Sequence, residues 1–246
     1  MLPPRPIEVV VPDRRAALSS RFRLGRPAAN VAVVVALVAA IALVVAAVVR
    51  DDAPAPTVTA VDTSLKISVV GDSYSRGLPD TVVWPTLAAE STGWSVNNVS
   101  IFSAGYVATD GNGSFADQID AAVADNPDVV FVVGGINDVG KPPELITQRA
   151  IDTLGELARR APGAKLVVMG PIWHEIPVPE AAAVIDDSVR AAADMLRLPY
   201  LSVVSEDWLV PEGMIQEDGI HPTEAGQRVL AQQIVASLEQ TGVPFV

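Results

Sequence analysis

The chain has 246 residues, half of them hydrophobic, which suffices for one domain with a sizeable core plus an appendage. It contains no cysteine, so disulfides and thiolate chemistry are excluded. Its net charge is −12, and residues 65–246 alone hold 24 acidic and 10 basic side chains, an acidic surface that argues against nucleic acid and against docking on anionic lipid.

Residues 1–30 carry Arg5, Arg14, Arg15, Arg21, Arg23 and Arg26 against only Glu8 and Asp13, and 31–49 is an unbroken run of nineteen Val, Ala, Leu and Ile residues. At about 1.5 Å per residue such a run spans a bilayer core as a helix, and the basic leader places the N-terminus in the cytoplasm. A cleaved signal peptide is the rival reading. The run, however, exceeds the usual apolar stretch of roughly 7 to 15 residues, and Pro56 follows the nearest small-residue site, Ala53-Pro54-Ala55. The expected order is a basic cytoplasmic segment over 1–30, a single-pass signal anchor over 31–49, a Pro- and Thr-rich linker over 50–64 and an extracytoplasmic domain over 65–246.

Within that domain, short and nearly continuous apolar runs at 67–70, 96–101, 129–133, 166–169 and 200–204 read as strands buried on both faces. Helix-period segments lie between and after them, at about 80–91, 114–125, 142–160, 179–197 and 223–240. Ser114 and Thr223 are expected N-caps, and Pro142-Pro143 opens a helix. Strands alternating with helices predict an α/β domain, a three-layer doubly wound sandwich with a five-stranded parallel sheet. Ligands of such sheets bind beyond the carboxyl ends of the strands, where Ser73 and Asn137 are both expected.

Three strings carry the chemistry: Gly71-Asp72-Ser73 after the first strand, Gly134-Gly135-Ile136-Asn137-Asp138 after the third, and Asp218-Gly219-Ile220-His221-Pro222 before the last helix. Acyl transfer through serine needs a hydroxyl, an imidazole to take its proton, a carboxylate to orient the imidazole, and donors for the developing oxyanion. Each string has a plainer reading, since Gly-Asp-Ser after a strand is usually a turn and Asp218 with His221 could be a helix cap beside a solvent-facing ring. Only His174 and His221 exist, so a histidine base must be one of them. The Gly-x-Ser-x-Gly elbow of α/β-hydrolases is absent.

Taken together the strings resemble the SGNH hydrolases, the GDSL-type esterases and lipases. Val70-Gly71-Asp72-Ser73-Tyr74-Ser75 resembles the family's first block, Gly135-Ile136-Asn137-Asp138 its third, and Asp218-Gly219-Ile220-His221-Pro222-Thr223 its fifth. The stretch from Asn98 through Ala104-Gly105 resembles the second. The resemblance covers 65 to about 240 and implies a flavodoxin-like SGNH fold without a cofactor. It further implies Ser73 as nucleophile, His221 as base, Asp218 as its orienting acid, and an oxyanion hole from the Ser73 and Gly105 amides with the Asn137 side chain.

Tyr74, Asp138, Trp173 and His174 are either cleft-lining or structural; Asp138 is expected to hold loop geometry and Asp72 to bond nearby backbone. Two histidines without cysteine do not make an ordinary transition-metal site, and the Asp110–Ser114 turn has too few carboxylates for calcium. The reading is a membrane-anchored esterase acting on an ester of the cell envelope, such as an acylated glycan or lipid. An envelope O-acyltransferase would use the same acyl-enzyme, and an idle SGNH fold that binds glycan or scaffolds a partner is the alternative from another class.

Overall fold

Five strands, β1 (Lys66–Gly71), β2 (Ser95–Asn98), β3 (Val129–Val133), β4 (Lys165–Met169) and β5 (Tyr200–Leu201), form one sheet in the order β2-β1-β3-β4-β5 with every pairing parallel. They belong to a computed structural model that describes residues 36–41, 43 and 64–243. The chain divides into two units, residues 1–61 and 62–246. In the first, 36–41 and 43 are helical, and no helix among the described residues is long and apolar enough to cross a membrane. The span expected over 31–49 lies mostly outside the described residues, as do the basic leader and nearly all of the linker.

The second unit is the α/β sandwich that the alternation of strands and helices predicts. Its helices are α1 (Ser73–Arg76), α2 (Trp84–Thr92), α3 (Ile119–Val123), α4 (Pro143–Arg160), α5 (Glu180–Leu196) and α6 (Glu224–Gln240), with 3₁₀ turns at Ala116–Gln118 and Ile136–Asp138. Alternate residues of a strand face opposite sides of the sheet, and β3 splits accordingly. Val129, Phe131 and Val133 pack with Trp84 and Ala88 of α2 and with Leu230, Ile234 and Leu238 of α6. Val130 and Val132 pack with Ile119 of α3, Ile146 and Leu154 of α4 and Ile185 and Val189 of α5. Both faces are covered, so the central strands need apolar residues throughout.

Thr223 caps α6 as expected, its hydroxyl accepting from the Gly226 amide at 3.2 Å, and Pro143 occupies the first turn of α4. Ser114 behaves differently. Its amide and hydroxyl both donate to Asp117 Oδ2, at 2.7 and 2.8 Å, so the carboxylate three residues on is the acceptor and Ser114 the donor.

Phe131 is fully buried and meets Trp84 edge-on, with ring centroids 5.9 Å apart at 85°. Phe131→Ala is expected to lower unfolding free energy by about 3 to 5 kcal/mol, read from urea denaturation.

Candidate active site

β1 stops at Gly71, and Asp72, its backbone still extended, caps the short helix α1, its Oδ1 accepting from the Tyr74 amide at 3.0 Å. Ser73 is thereby the first helical residue, held at the carboxyl edge of the sheet and 6% exposed. Gln118 closes the strand end like a further rung, its Oε1 accepting from the Gly71 amide at 2.9 Å and its Nε2 donating to the Gly71 carbonyl at 2.8 Å. Asp72 Oδ2 also takes a longer bond, 3.4 Å, from the Gly135 amide. The residue between has no room for a side chain, because a Cβ on Gly134 would lie 2.3 Å from Asp72 Oδ2, and its φ of +124° suits glycine alone. Burial pushes the Asp72 carboxyl up to about 6, against the Tyr74 and Gly135 amides that favour its anion, and the charge of Asp138 adds to the rise.

Asn137 lies in the 3₁₀ turn after β3, and its Nδ2 donates to the Ala104 carbonyl at 2.9 Å, leaving the second amide hydrogen uncommitted. Its neighbour Asp138 is fully buried and gathers the loop after β2, accepting from the amides of Tyr106 at 2.7 Å, Val107 at 3.0 Å and Ala108 at 2.8 Å. Burial raises the Asp138 carboxyl although these three amides and Lys141 oppose the rise. Asp138 therefore holds loop geometry, as its sequence context predicts.

Gly105 differs from expectation. Its amide donates to the Ala108 carbonyl at 2.9 Å, so it is committed inside the loop and does not offer the oxyanion donor read from the sequence. A glycine is needed there for another reason: a Cβ would come within 2.5 to 2.7 Å of the Asp138 carboxylate.

Asp218 and His221 are brought together on the loop before α6, with Asp218 Oδ2 2.6 Å from His221 Nδ1. Asp218 Oδ1 accepts from the backbone amides of Ile220 at 2.9 Å and His221 at 3.0 Å. Burial acts to raise the Asp218 carboxyl, but the hydrogen bonds from the His221 ring and from these two amides, with the attraction of the ring, outweigh it and hold the group down to about 2. An anionic carboxylate at that distance fixes hydrogen on Nδ1 and leaves Nε2 as the acceptor.

The loop is tied to the helix of Ser73 by Tyr74, whose hydroxyl donates to the Ile220 carbonyl at 2.8 Å. That hydroxyl has one hydrogen, so at its 3.2 Å contact His174 Nδ1 is the donor. His174 stacks on Trp173 with centroids 5.6 Å apart at 18°. From α6, Gln227 accepts from the Trp84 amide at 2.8 Å and donates to the Tyr74 carbonyl at 3.1 Å. Among the described residues the Ser73 hydroxyl and His221 Nε2 bond neither each other nor another protein group. Asn137 joins the second loop, Asp218 joins His221, and Tyr74 with His174 joins the two sides.

Gln118 and Gln227 are missing from the sequence reading. Their one signal is a long polar side chain on a helix face otherwise occupied by buried apolar residues.

Residues 69–229 match the model of the GDSL-like lipase/acylhydrolase family. A GDSL lipase of Mycobacterium tuberculosis is 31% identical, the match covering 72% of this chain and 83% of that protein. Among solved structures, the psychrotrophic esterase EstA from Pseudoalteromonas sp. has a TM-score of 0.59 at 18% identity, covering 72% of this chain and 97% of that one. The lipase/acylhydrolase from Enterococcus faecalis has a TM-score of 0.56 at 17% identity, covering 72% and 96%. At those identities the two structures share the fold.

Asp72 binds a proton more tightly folded than unfolded, so its contribution to stability is complete below about pH 4 and is lost as pH rises through about 6. Relative to Asp72→Asn, which keeps the acceptor for the Tyr74 amide, the wild type should lose about 2 kcal/mol between pH 4 and pH 7, measured by denaturation at each pH.

Proposed function

Because the chain belongs to the GDSL-like lipase/acylhydrolase family and is a serine hydrolase, we propose that it cleaves carboxylic esters through an acyl-enzyme on Ser73. The observation that carries the assignment is the 2.6 Å Asp218–His221 pair on a loop that Tyr74 ties to the helix of Ser73. Ser73 Oγ attacks the acyl carbon as His221 Nε2 takes its proton. The carbonyl oxygen becomes an oxyanion facing the Ser73 amide and the free hydrogen of Asn137 Nδ2. His221 then gives the proton to the departing alkoxide, and the alcohol leaves. Water repeats the sequence, its proton passing through His221 to Ser73 Oγ as the acid is released. Asp218 stays anionic throughout, stabilising the imidazolium.

We place this activity outside the cytoplasm on an ester of the cell envelope, an acylated glycan or lipid, with the chain anchored through 31–49. The arginine-rich leader and the nineteen-residue apolar run support that setting. Acidity confined largely to the domain beyond the run supports a substrate without concentrated negative charge.

Ser73→Ala should abolish labelling by a fluorophosphonate probe while leaving the melting temperature close to that of the wild type; equal labelling would remove Ser73 as nucleophile. Asn137→Ala should lower kcat on a short p-nitrophenyl ester about 10² to 10³-fold, or about 2.7 to 4 kcal/mol. In intact spheroplasts added protease should degrade the domain. Protection until the membrane is lysed would place it in the cytoplasm.

A further inference from the structure

His174 reaches the loop of His221 through one tyrosine and one peptide unit. Tyr74 follows Ser73 directly, is 3% exposed, and has its backbone committed on both sides, the amide to Asp72 Oδ1 at 3.0 Å and the carbonyl to Gln227 Nε2 at 3.1 Å. Its side chain therefore starts from a fixed base. At the far end of the ring the hydroxyl donates to the Ile220 carbonyl at 2.8 Å. That carbonyl belongs to the same peptide unit as the His221 amide, which donates to Asp218 Oδ1 at 3.0 Å, while Asp218 Oδ2 lies 2.6 Å from the His221 ring at Nδ1. Both polar atoms of the Ile220–His221 peptide are thus committed, one to the carboxylate beside the imidazole and the other to the residue after Ser73. Rotation of this peptide would swing the Cα–Cβ bond that carries the His221 ring.

The arrangement holds only while the Tyr74 hydroxyl keeps its single hydrogen on Ile220. A carbonyl can only accept, whereas His174 Nδ1, at 3.2 Å from the same hydroxyl, accepts or donates according to where the imidazole carries its hydrogen. With hydrogen on Nδ1, the His174 ring donates to the hydroxyl oxygen and leaves the Tyr74 hydrogen for Ile220. With Nδ1 bare, the ring competes for that hydrogen and the Ile220 carbonyl loses its partner. Burial, with the charges of Asp72 and Asp218, pushes the Tyr74 hydroxyl far above its usual range, so it remains a donor. A donor to its oxygen also polarises the hydroxyl and strengthens the bond it makes in turn. The stack on Trp173, with centroids 5.6 Å apart at 18°, holds the half-buried His174 ring in place for this.

We infer that His174 is a positioning residue for His221: hydrogen on its Nδ1 commits the Tyr74 hydroxyl to the Ile220 carbonyl, and so fixes the backbone that carries the His221 ring. The inference rests on the acyl-enzyme reading and assigns no proton transfer to His174. Its place after β4 makes the loop that follows that strand part of what sets the base, although the loop supplies no reacting group.

The first test is nuclear magnetic resonance of the full-length wild type, isotope-labelled at the nitrogens of its two histidines. At mildly alkaline pH the neutral His174 ring is expected with hydrogen on Nδ1, a preference lost in Tyr74→Phe. On a short p-nitrophenyl ester, His174→Ala should lower kcat about 10- to 100-fold and change KM by no more than a few-fold, because a displaced base slows the reaction without weakening binding. His174→Asn, whose Nδ2 can donate in place of Nδ1, should recover kcat to within a few-fold of the wild type. Tyr74→Phe should be at least as slow as His174→Ala, and combining the two should slow it no further, since the histidine acts through the hydroxyl. A bare Nδ1 on His174 in the wild type would overturn the inference however the variants fold. So would an unchanged kcat in His174→Ala, a loss confined to KM, no recovery in His174→Asn, or losses that multiply in the double variant, each with fluorophosphonate labelling of Ser73 intact. No labelling of Ser73 in the wild type would overturn the acyl-enzyme reading and this inference with it.

Discussion

The buried carboxylate of Asp72 lies where three pieces of chain that are distant in sequence must meet. It caps the helix that presents Ser73, reaches toward the amide of Gly135 at the end of β3, and occupies the space that any side chain at position 134 would fill. Its neighbourhood is so dry that its carboxyl is pushed up to about 6, a cost the fold carries at the centre of its most polar region. If this group were smaller or unbonded, the start of α1 and the turn after β3 would lose their common reference. Ser73 and Asn137 would then move independently of each other.

Three aspartates around the site occupy different environments. Asp72 and Asp138 are buried and satisfied mainly by backbone amides, so desolvation dominates and both are raised. Asp218 is 40% exposed at its side chain and bonded by the His221 ring and two amides, and is held down to about 2. The first two act on architecture, one setting the helix that begins at Ser73 and the other the second loop. The third acts on the histidine. Two buried glutamines extend this division, since Gln118 completes the end of β1 and Gln227 ties α6 to Tyr74, and each substitutes a side-chain amide for a backbone one.

Legibility in the sequence followed burial. The run 129–133 coincides with β3 because a central strand covered on both faces has to be apolar from end to end. The edge runs are less reliable. Of 200–204 only Tyr200–Leu201 pair, next to Val168 and Met169, since an edge strand lasts only as long as its single neighbour. At the other edge β2 ends at Asn98, although Val99 and Ile101 still donate to β1. Ser114 has the residue type of an N-cap acceptor, yet Asp117 lies close enough to reverse the roles.

By itself the sequence determined the α/β sandwich, the family and the order of the groups able to perform acyl transfer, because burial periodicity and the side-chain chemistry of Ser73, Asn137, Asp218 and His221 are written locally. The pairing of Asp218 with His221 was legible too, since it spans three residues of one loop. Tertiary structure alone decided that Tyr74 links that loop to the helix of Ser73, that Asp138 gathers the second loop, and that Gly105 spends its amide on Ala108. The direction of a backbone N–H depends on dihedral angles and on acceptors remote in the chain, and residue identity does not carry that information.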